Sequence, residues 1–244
     1  MPRIIRSFVS YGKEKKVGDE ITLSGEESHH LSKVLRLEPE STIEVLNGEG
    51  NRAQVHCLEV GGKEIRTRIN SIECCLQHQP LIRVAVALVK GKKWDELIRP
   101  LTELGAHRIT PLITDRTEVR HDSSKFQAKA LKWKRNAIEA CKQSGNPWLP
   151  EIDDPTSFST FLSENSEKER RFLASLSDPS SPFPDDQDME RIALLIGPEG
   201  GWSQEEESLA QNFAVEPFSL AGNILRTETA AVSALAVAKA RFLP

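Results

Sequence analysis

The chain lacks the features that mark membrane, secreted and metal-binding proteins. Its longest apolar-rich stretches, around Val84–Val89 and Ile192–Ile196, are far short of the ~18 residues a spanning helix requires. The opening MPRIIRSFVSYGKEKK has no long apolar segment and no small-residue cleavage site, so no secretory leader is expected and the expected location is the cytoplasm. There are four cysteines, Cys57, Cys74, Cys75 and Cys141, with no C-x-x-C spacing, and six scattered histidines of which only His29 and His30 are adjacent. That pattern suits reduced thiols rather than disulfides or zinc, and no metal is expected. Neither G-x-x-x-x-G-K-[ST] nor G-x-G-x-x-G occurs, which disfavours an ordinary nucleotide-binding α/β enzyme.

A surplus of positive charge is missing too: the net charge is −4. The distribution qualifies that sum. Acidic residues cluster at 164–169, 185–190 and 205–207, while Lys and Arg gather at 83–99 and 125–142. A polyanion responds to the local field, and charges more than about 8–10 Å away are screened at physiological salt. The net charge therefore neither supports nor excludes RNA.

What is present falls into two parts. Residues 1–72 are rich in short β-branched runs, Glu20–Leu23, Thr42–Leu46, Gln54–Val60 and Ile65–Ile72, separated by glycines. Asn47-Gly48 between two of them predicts a hairpin with a type I′ turn. One helix is expected over Glu26–Arg36, with Leu31, Val34 and Leu35 on one face; together these elements suggest a small β-barrel. After a linker at Leu76–Pro80, residues 80–244 alternate strand and helix. Strands are expected at Ile82–Val89, Arg108–Ile113, Arg171–Leu176, Arg191–Ile196 and Phe213–Leu220. Helices are expected from Trp94 to Leu104 (interrupted by Pro100), over 125–142, and from Glu228 to about Phe242. The alternation argues for a mostly parallel α/β sheet, and 177–190 reads as a loop.

Two loops carry the chemistry. In Leu194-Leu195-Ile196-Gly197-Pro198-Glu199-Gly200-Gly201-Trp202-Ser203 a buried strand runs into a glycine turn, and Ser203-x-x-Glu206 opens a helix with a capping box. Glu205, Glu206 and Glu207 occupy that helix start, so it makes a poor phosphate cradle. It suits a cationic or zwitterionic ligand approached by backbone, such as S-adenosylmethionine. A tight turn with glycine present for conformation alone satisfies the same residues. The second loop, Ser219 to Ala231, again joins a strand end to a helix through Gly222 and the polar run Arg226-Thr227-Glu228-Thr229. Alone it reads as a helix cap with solvated charges. Two such loops at strand C-terminal ends point to a ligand there, because open α/β sheets bind ligands just beyond those ends.

Gly197-Pro198-Glu199-Gly200-Gly201-x-Ser203 followed by Ile224-Leu225-Arg226-Thr227-Glu228-Thr229-Ala230 resembles the ribosomal RNA small subunit methyltransferase E family of the SPOUT superfamily. The likeness covers most of the chain. His30-Leu31-x-x-Val34-Leu35-Arg36 and Leu46-Asn47-Gly48-x-Gly50 resemble the family's PUA-like domain. Lys90, Thr102-Glu103-Leu104-Gly105, Ile109-x-Pro111, Asp115-Arg116-Thr117 and Lys142-Gln143-Ser144-Gly145 resemble segments of its catalytic domain. The chain departs from the pattern at Ala221-Gly222-Asn223, where the family usually has Gly-x-Arg, and at Asn146, where an arginine is common.

The resemblance implies a homodimer with a PUA-like β-barrel at 1–72 and a catalytic domain at 80–244 ending in a trefoil knot. It implies S-adenosylmethionine as cofactor and methylation of uridine N3 in small-subunit (16S) ribosomal RNA. The cofactor would lie among Leu173, Ala174, Ser175 and Leu176; Ile196, Gly197, Pro198, Glu199 and Gly200; and Leu220, Gly222, Asn223, Ile224, Leu225 and Thr229. Uridine N3 loses a proton before or during attack, and a fixed cation near the flanking carbonyls stabilises the resulting charge. Arg226 is the candidate, with a structural brace to Glu199 or Glu228 as the alternative. Glu199 serves either as base or as partner of the cofactor's ammonium. Candidate RNA contacts are Arg3, Arg6, His30, Arg36, Gln143 and Ser144, with His29, Lys33 and the basic helix. The rivals are a non-catalytic RNA-binding or assembly protein of the same fold and a transfer-RNA methyltransferase.

Overall fold

The computed structural model describes residues 4–90, 93–117, 123–164, 168–175, 189–220 and 223–242. Expectations for Arg3, Leu176 and Gly222, and nearly all of the expected loop 177–190, lie outside the described residues. The chain divides into two compact units, one of residues 1–77 with 138–149, the other of 78–137 with 150–244.

In the first unit β1 (Arg6–Phe8), β2 (Glu20–Ser24), β3 (Thr42–Leu46), β4 (Asn51–Val60) and β5 (Glu64–Cys74) form a curled sheet of order β1-β3-β4-β5-β2. β1 and β3 are parallel and the other pairs antiparallel. A small β-barrel was expected; among the described residues the edges β1 and β2 do not pair, so the sheet is an open half-barrel. The helix after β2, α1 (Glu26–His29), is tied to β1 and to the turn between β4 and β5. Glu27 accepts hydrogen bonds from Ser7 Oγ (2.5 Å) and the Phe8 amide (3.4 Å), and Ser28 Oγ donates to the Lys63 carbonyl (2.8 Å). α1 continues as a π-helical turn, His30–Val34, in which the Leu35 amide bonds to the His30 carbonyl. The wider turn shifts the helical phase. Leu31 is fully buried and Leu35 packs against the same core, but Val34 is 62 % exposed, so of the face expected of Leu31, Val34 and Leu35 only Val34 is turned away.

The hairpin at Asn47-Gly48 forms, but not through a type I′ turn. Gly48 and Gly50 take positive φ and Asn47 does not. Instead, Asn47 Oδ1 accepts hydrogen bonds from the amides of Glu49 and Asn51, at 2.8 and 2.9 Å. The side chain does the work that a second left-handed residue would have done. The unit's core is built from alternate strand residues including Leu23, Ile43, Val45, Val55, Ile65 and Ile69, with Leu31 from the helix.

Segment 138–149 belongs to this unit, although its sequence neighbours belong to the other. Lys142 Nζ lies 2.6 Å from Glu27 and 2.7 Å from Glu139. Arg6 bonds Glu44 (2.6 Å) and the Gln143 carbonyl (3.1 Å), and Arg52 donates to the Gly145 carbonyl (2.8 Å). Three cationic side chains here are consumed by structure.

The second unit holds β6 (Leu81–Ala87), α2 (Lys93–Glu103), β7 (Arg108–Ile113), α3 (Ser123–Ser144, passing into the first unit at Ile138), β8 (Glu151–Ile152), β9 (Thr156–Ser157), α4 (Phe158–Ser163), β10 (Glu169–Ala174), β11 (Arg191–Ile196), α5 (Gln204–Asn212), β12 (Glu216–Phe218) and α6 (Thr227–Phe242). Every strand pair among its described residues is parallel, in the order β12-β10-β11-β6-β7-β8, with β9 also on β7. A mostly parallel α/β sheet was expected, and it is present. One face buries Ala85, Leu112, Leu173, Ala193 and Leu195 against Phe158, Phe161 and Leu162 of α4 and Ala210 of α5. Alternation sends Val84, Leu194 and Ile196 to the opposite face, where α6 packs on β6 and β11 and against α2.

The strand expected over Phe213–Leu220 is shorter. α5 extends to Asn212, and Ala214 in a left-handed turn (φ 53°) reverses the chain, leaving Phe213 44 % exposed. α2 runs unbroken through Pro100.

Candidate functional site

β10, β11 and β12 are neighbours and parallel, so three loops leave the same edge of the sheet. Hydrogen bonds join these loops in a ring. Trp202 Nε1, in the loop after β11, donates to the Ala174 carbonyl at the end of β10 (2.9 Å). The Ser175 amide donates to the Phe218 carbonyl at the end of β12 (2.9 Å). Thr227 Oγ1, opening α6, returns to the Gly197 carbonyl (2.9 Å). Between the loops lies a cavity of about 340 Å³, within the usual size range for small-molecule sites.

The glycine loop is held from outside as well. Ser203 and Glu206 form the capping box read from the sequence. Asp115, after β7, accepts from Ser203 Oγ (2.5 Å) and donates its amide to Glu206 (2.9 Å), while Arg116 donates to the Gly200 carbonyl (2.6 Å). Gly197 has a packing reason to lack a side chain: a Cβ there would sit 3.0 Å from Trp202 Cε2.

Of the residues named from the sequence, Ala174, Ser175, Ile196, Gly197, Pro198, Glu199, Gly200, Leu220, Asn223, Ile224 and Leu225 line the cavity. Two others do not. Leu173 points into the core beside Phe158 and Leu195. Thr229 lines a separate cleft with Lys93, Glu96 and Pro100 between α2 and α6; helical phase places Thr227, two residues earlier, on the cavity instead. Trp202, Glu207, Phe218 and Thr227 line the cavity without having been singled out. The acidic run at the start of α5 was the available signal for Glu207, but only helical phase decides which member faces inward.

The described lining residues include two carboxylates, Glu199 and Glu207, and no Lys or Arg. Glu199 is paired with Lys93 at the start of α2, Nζ to Oε1 2.8 Å, and Lys93 lies 4.0 Å from Glu228. The hydrogen bond from Lys93 holds the Glu199 carboxyl below its usual range, and the same bond raises Lys93. The Arg226 side chain is exposed and makes no hydrogen bond or ion pair among the described residues, its carbonyl alone accepting from the Ala230 amide (2.8 Å); the brace weighed for it is supplied by Lys93. Of the candidate RNA contacts, His30, Arg36, Gln143 and Ser144 are exposed in the first unit, while Arg6 is engaged with Glu44. Among the described residues no group of His, Cys, Asp or Glu could hold a metal ion, and no helix is long and apolar enough to cross a membrane.

A parallel sheet with a loop-built cavity at its tips, accompanied by a half-barrel, defines the class. Residues 77–239 match the model of an RNA methyltransferase domain, and residues 23–70 that of an RNA methyltransferase PUA domain. A ribosomal RNA small subunit methyltransferase E from Synechocystis is 35% identical over 224 residues, spanning 88% of this chain and 71% of that protein. The structure of a Legionella pneumophila protein with S-adenosylmethionine bound as cofactor superposes with a TM-score of 0.87 at 33% identity, covering 98% of both chains. A ribosomal RNA small subunit methyltransferase E from Neisseria gonorrhoeae, also bound to S-adenosylmethionine, gives 0.87 at 25% identity and the same coverage. The chain belongs to the ribosomal RNA small subunit methyltransferase E family.

Proposed function

We propose that the protein transfers a methyl group from S-adenosylmethionine to N3 of a uridine in small-subunit ribosomal RNA, working in the cytoplasm as a homodimer whose catalytic domain ends in a trefoil knot. One observation carries the cofactor reading: the cavity lining has two carboxylates and no described cation. Such a site repels phosphate and attracts a cationic ligand, and its glycines admit close backbone approach. The two relatives bound to this cofactor support the choice. The uridine, the N3 position and the small subunit follow from the family's character.

The cofactor would supply an electrophilic methyl on a sulfonium. The chain's contribution is to align and to place charge. Ile196, Leu220, Ile224 and Leu225 offer apolar walls for adenine, and the glycine loop offers main-chain donors and acceptors. Glu199 is neutralised by Lys93, so Glu207, with no ion pair among the described residues, presents the uncompensated negative charge. Arg226, beside the lining residue Leu225, is free to meet negative charge developing on the uracil carbonyls. Exposed His30, Arg36, Gln143 and Ser144 offer contacts to RNA, whose unpaired bases are the ones proteins reach most easily.

The test is mass spectrometry of ribosomal RNA from a strain lacking the gene, before and after complementation. Loss and return of a single N3-methyluridine in the small-subunit RNA is expected. An unchanged modification profile would overturn the proposal.

A further inference from the structure

Three charged segments meet beside the cavity. Lys93 comes from the start of α2, Glu199 from the glycine loop and Glu228 from the first turn of α6. Lys93 reaches both carboxylates, at 2.8 and 4.0 Å, and Glu228 Oε2 is buried without a hydrogen-bond partner. Arg226 lies near enough for its charge to act on both Lys93 and Glu199, yet it bonds to neither carboxylate. Two anions therefore share one lysine while an arginine beside them stays exposed.

We infer that Lys93 is a positioning residue for methyl transfer: by occupying Glu199 and Glu228 it keeps Arg226 free to face the substrate base. The inference rests on the function proposed above. Without the ammonium, two carboxylates would stand beside Arg226 with no other described cation paired to them. Uncompensated carboxylates attract a nearby guanidinium that has no side-chain partner of its own. A long, unbound guanidinium would turn toward them and leave the mouth of the cavity. Neither Lys93 nor Arg226 lines the cavity, and losing the ammonium unmasks the lining carboxylate of Glu199, which favours a cationic cofactor, so the rate falls while cofactor affinity does not.

The experiment compares wild type, K93M, K93R and K93M/E228Q, using small ribosomal subunits from a strain lacking the enzyme as substrate. Single-turnover methyl transfer is measured beside S-adenosylmethionine affinity by calorimetry. K93M should slow transfer by about tenfold or more while cofactor affinity holds or rises. K93R should restore most of the rate, since a guanidinium also spans two carboxylates. K93M/E228Q should outpace K93M, because one anion competing for Arg226 is gone. An unaffected K93M, an equal loss in K93R, parallel losses of rate and affinity, or no gain from E228Q would each overturn the inference. A wild-type protein that binds no S-adenosylmethionine would overturn the proposed function itself. Wild-type turnover with an indifferent K93M would overturn only the role of Lys93.

Discussion

Replacing Gly197 by Ala tests whether the ring of loop hydrogen bonds holds the cavity in shape. The φ of Gly197 is not in the left-handed region, so alanine brings no backbone strain and the whole effect lies in contacts. The added carbon would meet Trp202 at 3.0 Å (Cε2), 3.2 Å (Nε1) and 3.3 Å (Cδ2). Relaxed carbon contacts lie at ~3.5–4.0 Å, so the indole must retreat by roughly half an ångström. It is 8 % exposed, packs on Phe158 with ring centroids 4.9 Å apart, and donates to Ala174 at 2.9 Å. Overpacking of this kind costs about 1–3 kcal/mol, and a stretched hydrogen bond adds about 1 kcal/mol. Urea unfolding should therefore show a loss of about 2–4 kcal/mol. If half of that falls on the loops, cofactor affinity drops about tenfold. In a W202L background the indole is gone and Gly197→Ala should cost at least about 1 kcal/mol less. Equal costs in both backgrounds, or unchanged affinity in the single variant, would refute the reasoning.

Other perturbations probe separate parts of the molecule. Asp95 accepts hydrogen bonds from Lys132 Nζ (2.6 Å) and Trp133 Nε1 (2.7 Å); burial opposes its ionisation, but these bonds outweigh it and hold the carboxyl below the usual aspartate range. A depressed folded-state pKa stabilises above the unfolded value and is lost as pH falls through the folded one. Wild type should therefore exceed Asp95→Asn by about 1–2 kcal/mol at pH 7, and urea midpoints should converge as pH drops below about 4; a gap that widens in acid would contradict this. Burial pushes the Cys57 thiol to about 11 and Cys141 to about 12, so a thiol reagent at pH 8 should label exposed Cys74 first, Cys75 more slowly, and Cys57 and Cys141 only in denaturant. Early labelling of Cys141, followed by peptide mass spectrometry, would mean that the end of α3 opens readily.

The buried strands were readable because each is a short apolar run ended by a glycine or polar turn; β7 and β11 have the very bounds that the pattern gives. Glycine-rich loops at strand ends were equally readable as a cavity, since the tips of parallel strands converge. Less local features were not. The π-helical turn rotates Val34 outward, and nothing in the residue spacing announces an extra residue per turn. Thr227 and not Thr229 faces the cavity, a choice fixed only once the first residue of α6 is known. Lys93 was hidden for a different reason. It is far from Glu199 in sequence, and only the adjacency of β6 and β11 brings the segments after those strands together. Arg6 had the type and position of an RNA contact, but the buried carboxylate of Glu44 claims it.

The capture of residues 138–149 by the first unit bears on how this protein can be cut and recombined. A fragment ending at Gln77 would leave Glu27 without Lys142, and Arg52 without the carbonyl it caps. The front module is thus not a detachable bead; it borrows a clasp encoded deep within its neighbour's sequence. Gene fusions or truncations that swap it at the obvious seam should yield an incomplete, poorly soluble piece, and inheritance of the two units together is built into the wiring of the chain.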